Sequence, residues 1–156
     1  MNIKDFIRAE KANLDTGKWA SGHVPKSAFP LSRSKPKTYK FGPEYHWRLV
    51  KFDALSEECR IWITLNENKE IFRARFGVLR AGDMTVLCEH EFHASEPGWH
   101  CHLTFDHLDS ASTGGMRWDK QKWPRIEKEQ KFVVTTANAI TFVAERFGFK
   151  AQGELI

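Results

Sequence analysis

Five runs of alternating apolar and polar residues, at 45–53, 59–66, 71–79, 84–93 and 98–107, constrain this chain more than any other feature. A period of two marks a strand with one face in a core and the other face free. The connections between the runs include 67–70, 81–83 and 94–97. Parallel strands need a crossover of a dozen or more residues, so strands joined this tightly run antiparallel. A five-stranded antiparallel meander is the expected centre of the fold.

Register follows from matching faces, because a slip of one residue exchanges them. Pairing His93 with Gly98 sets Glu91 opposite His100 and Glu89 opposite His102, while Phe92 meets Trp99 and Cys88 meets Leu103. Between the third and fourth runs, a two-residue turn would oppose apolar to polar residues. A three-residue loop containing Gly82, with a bulge, restores the match. It sets Arg73 beside Glu91 and Arg75 beside Glu89, with Thr64 and Trp62 one strand further on. The first run is expected to add His46 and Arg48 to this side. The resulting rows are Arg48, Thr64, Arg73, Glu91, His100 and Val50, Trp62, Arg75, Glu89, His102.

The opposite face, with Trp47, Leu49, Ile63, Phe76, Met84, Val86 and Trp99 among its residues, needs a cover. Residues 136–147 supply a helix with Ala139, Ile140, Val143 and Phe147 on one stripe, Thr135 or Thr136 as cap and Gly148 past its end. Residues 2–14 read as a second helix, capped by Asn2, with Ile3, Phe6, Ile7 and Leu14 on one side. The β-branched run at 131–134 favours a sixth strand. The expected fold class is α+β, a single domain over 1–156. Its parts are an N-terminal helix (1–14), a basic Pro/Gly/Ser-rich segment (15–44), the meander (45–107), a loop (108–124) and a C-terminal strand and helix region (125–156).

Charge is uneven. The net +4 divides into +6 over residues 1–50 and −2 over the remainder. Within the proline-rich segment Arg33, Lys35, Lys37, Tyr39 and Lys40 mix cations with an aromatic ring, which reads either as a solvated linker or as an arm lying against phosphates. An anionic partner is expected, RNA before DNA. No run reaches the roughly 18 apolar residues of a membrane span, and the N-terminus has no apolar signal region. Cys59, Cys88 and Cys101 are odd in number and fall inside expected strands, which fits reduced core thiols and a cytoplasmic setting.

Chemistry concentrates on the polar face, where four of the seven histidines lie between His90 and His102. Histidine transfers protons near neutrality, a neighbouring carboxylate fixes its tautomer, and arginine stabilises charge developing on a phosphate. Arg73, Arg75, Glu89, Glu91, His100 and His102 are the catalytic candidates for cleaving a phosphodiester at a ribose 2′-hydroxyl, without metal or cofactor. Arg48 would bind the backbone and Trp62 would offer a stacking platform for a base. The arrangement is similar to that of small microbial ribonucleases, which set Glu, Arg and His on the open face of an antiparallel sheet behind an N-terminal helix. That similarity implies an endoribonuclease-type hydrolase. Two alternatives stand beside it: a non-catalytic adaptor or binding module using the same face for a protein or nucleic acid, and a zinc-dependent hydrolase using His100, His102 and Glu89 or Glu91. His100-Cys101-His102 resembles the His-x-His of JAMM-type metalloisopeptidases, but Ser110 is followed by Thr113 where that motif has an Asp ligand. His102-Leu103-Thr104 resembles half of the paired His-x-Thr of two-histidine phosphodiesterases, and a second half is missing. Alternation sends Cys88, His90 and Cys101 towards the core.

Overall fold

The computed structural model describes residues 2–31, 37–93, 96–103, 116–118 and 132–151. Helix α1 (Ile3–Arg8) is followed by strands β1 (Ala12–Asp15), β2 (Ala20–Ser21), β3 (Val24–Pro25) and β4 (Thr38–Tyr39), with a 3-10 turn at Lys26–Ala28. The long strands are β5 (His46–Ala54), β6 (Glu57–Asn66), β7 (Ile71–Arg80), β8 (Asp83–His93) and β9 (Glu96–Leu103). Strand β10 (Met116–Trp118) and helix α2 (Ala139–Phe147) complete the described elements. The fold is broadly α+β, and its sheet is larger than five or six strands. The order is β1-β5-β6-β7-β8-β9-β10 with β2 also on β5, while β3 and β4 form a separate pair. Every pairing is antiparallel.

From β6 to β9 the expected register holds: Trp62 pairs with Arg75, Thr64 with Arg73, Arg73 with Glu91, Arg75 with Glu89, Glu91 with His100 and Glu89 with His102. At the last hairpin the pairing slips after Phe92–Trp99, so His93 faces Glu96 and not Gly98.

The face assignment of β5 is corrected. Ala54 pairs with Glu57 across a turn at Leu55 and Ser56, whose φ angles are 53° and 62°. Two positive φ values make the type I′ turn, whose twist matches that of a hairpin. The pairing sets Trp47 against Thr64 and Leu49 against Trp62. Arg48 and Val50 therefore leave the two polar rows for the other face, and Trp47 and Leu49 take their places. The strand has apolar residues at both parities, so its own alternation does not choose between them.

A second correction lies at β7–β8. Arg80 pairs with Asp83 across the two-residue turn Ala81-Gly82, with φ of 51° and 76°. The face match is restored by Leu87, an extra residue between the Phe76–Cys88 and Gly77–Val86 pairs. Beyond this bulge Met84 and Val86 point away from the main core, opposite to expectation.

That main core joins Val50, Phe52, Ile61, Ile63, Phe72, Phe76, Leu87 and Cys88 to Ile3 and Phe6 of α1 and to Ala139, Ile140, Val143 and Phe147 of α2. Helix α1 is shorter than expected and ends at Ala9. Asn2 and Asp5 exchange bonds in a capping box at its start. At its end the Lys11 ammonium donates to the carbonyls of Phe6, Ile7 and Ala9 at 2.8, 2.6 and 2.8 Å, satisfying groups that the amides of residues 10, 11 and 13 would take in a longer helix. Leu14 is thus on β1, at the sheet edge. Residues 132–135 are neither strand nor helix. The Thr135 hydroxyl accepts from the amides of Ala137 and Asn138 and starts the turn that leads into α2. Gly148 closes the helix in the left-handed conformation, φ 77°.

The proline-rich segment is not an arm over its described part. It packs on one half of the sheet's second face and makes a second core there: Val24, Ala28, Phe29, Trp62 and Met84, flanked by Leu31, Tyr39, Phe41, Trp47 and Leu49. The Met84 amide donates to the Pro30 carbonyl at 2.7 Å, and Arg60 donates to the carbonyls of Ser27 and Ala28 at 2.8 and 2.9 Å. Gly77 admits the cover, since a Cβ there would stand 2.9 Å from the Phe29 ring and 2.7 Å from Met84 Cε. The other half of this face carries the polar rows.

Candidate functional site

Polar residues face outward on β7, β8 and β9 because their strand partners Phe72, Ala74, Phe76, Cys88 and His90 fill the opposite side. Arg75 Nε lies 2.6 Å from Glu89 Oε1, and Arg73 Nε donates to Glu91 Oε2 at 3.1 Å. Glu91 Oε1 lies 3.0 Å from His102 Nε2 and 3.8 Å from His93 Nε2. The Glu91 side chain is only 7 % exposed, whereas those of Arg73 and His102 are 44 % and 36 % exposed. A buried carboxylate thus sits behind a cation and an imidazole that both reach solvent. Burying a carboxylate is costly without such partners, and these charge-assisted contacts offset the desolvation.

Beside this cluster opens a cleft of about 360 Å³, lined by Leu31, Tyr39, Phe41, Tyr45, Trp62, Thr64, Ile71, Arg73 and Arg75. Its floor is Trp62, whose ring lies 4.8 Å from Tyr39 and 5.6 Å from Phe29 between centroids. The Arg75 guanidinium stands 5.3 Å over the Trp62 ring. The Tyr39 hydroxyl donates to the Phe29 carbonyl at 2.6 Å, and burial raises its pKa above the ordinary value of 10.0. Two arginines therefore belong at once to an aromatic cleft and to the carboxylate pairs.

The structure brings Arg73, Arg75, Glu89, Glu91 and His102 onto one face. His100 pairs in register with Glu91, and its side chain lies outside the described residues. Trp62 is a buried part of the cleft floor, 4 % exposed, where a freely exposed platform was expected. Lys37 and Lys40 are exposed at the ends of β4, and Tyr39 between them points into the cleft. Arg33 and Lys35 lie outside the described residues, as do residues 108–115 and 119–124 of the expected loop, whose residues Met116–Trp118 form β10. Arg48 is buried on the main-core side, with Nε donating to the Thr16 carbonyl at 2.7 Å and its guanidinium 5.8 Å from the Trp19 ring. Site residues that sequence reasoning did not single out are His93, Phe41 and Tyr45, whereas Thr64 lies beside Arg73 as expected. The histidine could be found from its parity with Glu91, but the cleft walls come from a segment without periodicity.

Cys88, His90 and Cys101 are buried on the core side, as alternation implies. Among the described residues no group of three or more His, Cys, Asp or Glu is arranged to hold a metal ion. No described helix is long and apolar enough to cross a membrane. No protein-family model, curated protein or solved structure matches the chain, so the chemistry of the face itself carries the functional reading.

Proposed function

We propose that this protein is a metal-independent phosphodiesterase acting on RNA. The observation that carries the reading is the placement of Arg73 and Arg75: both line the aromatic cleft, Arg73 pairs with Glu91, the carboxylate that also meets His102, and Arg75 pairs with Glu89 on the same strand. A nucleobase stacks in the cleft against Tyr39 and the exposed edge of the Trp62 floor, and the adjoining phosphate meets the two guanidinium groups. With its Nε2 turned to Glu91, His102 is left with Nδ1 to accept the 2′-hydroxyl proton. The 2′ oxygen attacks phosphorus, and the second imidazole beside Glu91, that of His93, protonates the departing 5′ oxygen. Arg73 and Arg75 stabilise the charge gathered on the phosphoryl oxygens. Glu91 orients His102 and does not touch the substrate.

A second reading, a non-catalytic RNA-binding module, is favoured by the mutual neutralisation of Arg73 by Glu91 and Arg75 by Glu89. Such cross-strand pairs are also how a sheet satisfies a polar face. One experiment separates the two. An end-labelled oligoribonucleotide is incubated with wild type, His102→Ala and Arg73→Ala/Arg75→Ala, with and without EDTA, beside the same oligomer with 2′-deoxy sugars. The enzyme reading expects EDTA-resistant cleavage of the ribose form only, lost in His102→Ala. Binding without cleavage supports the module, and neither binding nor cleavage refutes both.

A further inference from the structure

We propose that Cys88 and Cys101 are a dithiol site that closes to an intramolecular disulfide between β8 and β9. The two sulfurs lie 3.0 Å apart in the main core, 13 residues apart in sequence. In register Cys88 faces Leu103 and Cys101 faces His90, so the pair spans one diagonal on the core side of adjacent strands. A disulfide bond is about 2.05 Å long, so the sulfurs must approach by about 1 Å, through side-chain rotation and a small backbone shift. The backbone pairing that would otherwise have to form is already present on both sides of the pair. Cys59 is equally buried, but its thiol meets the Glu57 carbonyl at 3.7 Å and serves as an internal control.

The oxidant belongs to the class of small-molecule disulfides, with glutathione disulfide as the example. Cys101 retains 6 % exposure and Cys88 none, so Cys101 is the entry point. Its thiolate attacks one glutathione sulfur; the glutathione S–S bond breaks, and the departing thiolate takes the proton that Cys101 lost. The Cys88 thiolate then attacks the Cys101 sulfur of the mixed disulfide and expels the second glutathione, which takes the Cys88 proton. Two electrons and two hydrogens pass from the protein to glutathione disulfide, giving two glutathione thiols. Burial, and then the neighbouring Cys101 thiol, hold the Cys88 thiol well above its ordinary pKa of 9.0, while the Arg146 cation opposes them. The exchange is accordingly slow at neutral pH. The bond would staple the strand pair that carries Glu91 and His102 from behind.

The test equilibrates the whole chain in glutathione redox buffers at mildly alkaline pH, starting from reduced protein and separately from protein oxidised in urea and refolded. Thiols are trapped by alkylation and located by peptide mass. The same titration in concentrated urea measures the pair in the unfolded chain, where sequence proximity alone operates. The expected result is a Cys88–Cys101 link two hydrogens lighter, with Cys59 alkylated, and an effective concentration at least about tenfold above that in urea. Cys59→Ser should behave as wild type. A native value at or below that in urea, a link through Cys59, or failure of the oxidised chain to refold would overturn the proposal.

Discussion

Replacing Trp62 by alanine tests whether the proline-rich segment is a structural cover or a solvated arm. Trp62 is 4 % exposed and packs against Phe29, Tyr39 and Phe41, with the Arg75 cation over its ring. Truncating a core Trp to Ala costs about 3–5 kcal/mol, and each aromatic contact adds about 0.5–1.5 kcal/mol beyond area alone. One flank of the ring borders the cleft, so part of the site is already wet, and a loss of about 4 kcal/mol is expected. With a urea m-value of about 2 kcal/mol/M, the midpoint should fall by about 2 M. A domain of ordinary stability, about 5–15 kcal/mol, survives that loss and remains measurable. Equilibrium urea unfolding followed by far-UV circular dichroism gives the number, because the peptide backbone dominates that signal. Limited trypsin digestion gives a second readout: cleavage after Lys26, Lys37 and Lys40 should accelerate as the cover loosens. A double-mutant cycle with Tyr39→Ala should show a coupling of about 1 kcal/mol. A loss within about 0.5 kcal/mol, the range of an exposed substitution, with unchanged digestion, would refute the packing of residues 20–31 and 37–41 on the sheet.

Other perturbations follow from individual contacts. Glu91→Gln removes the charge shared by Arg73 and His102; it should lower RNA cleavage by about 10²-fold while costing only about 1–2 kcal/mol of stability, and full retention of cleavage would remove Glu91 from the site. Leu55→Asn with Ser56→Gly puts residues suited to positive φ into the β5–β6 turn, so urea unfolding should show a gain of about 1–2 kcal/mol; a loss would contradict the turn that sets the β5 register. Cys59 provides a pH test, because burial raises its thiol from 9.0 to about 12. The folded state favours the neutral thiol, so this contribution is complete below pH 9 and is lost as pH rises towards 12, at about 1.4 kcal/mol per unit. Between those limits the urea midpoint of Cys59→Ala should fall less steeply than that of wild type, and parallel curves would deny the shift.

Four strands and their register were legible in the residues themselves. From β6 to β9 each strand shows apolar residues such as Ile61, Ile63, Phe72, Phe76, Phe92 and Trp99 at one parity and charges at the other. A one-residue slip there would turn Arg73, Glu89 and Glu91 into the main apolar core, away from their partners, and that penalty selects the pairing. The Arg–Glu–His face is a direct consequence of it. What tertiary structure alone decided begins where alternation loses its meaning. Strand β5 is apolar on both sides because each side has its own core, so Val50 and Trp47 are equivalent by pattern and only the Leu55-Ser56 turn separates them. Leu87 moves Met84 and Val86 to the second face, and a bulge leaves no mark in a hydrophobic run. The cover formed by residues 20–31 and 37–41 has only two-residue strands and one 3-10 turn; its Phe29, Tyr39 and Phe41 are placed by the aromatic floor of Trp62 and by bonds from Arg60 and Met84, all remote in sequence. The charges of the face are thus a property of local alternation, whereas the cleft beside them exists only because a distant, aperiodic segment packs across half of the sheet.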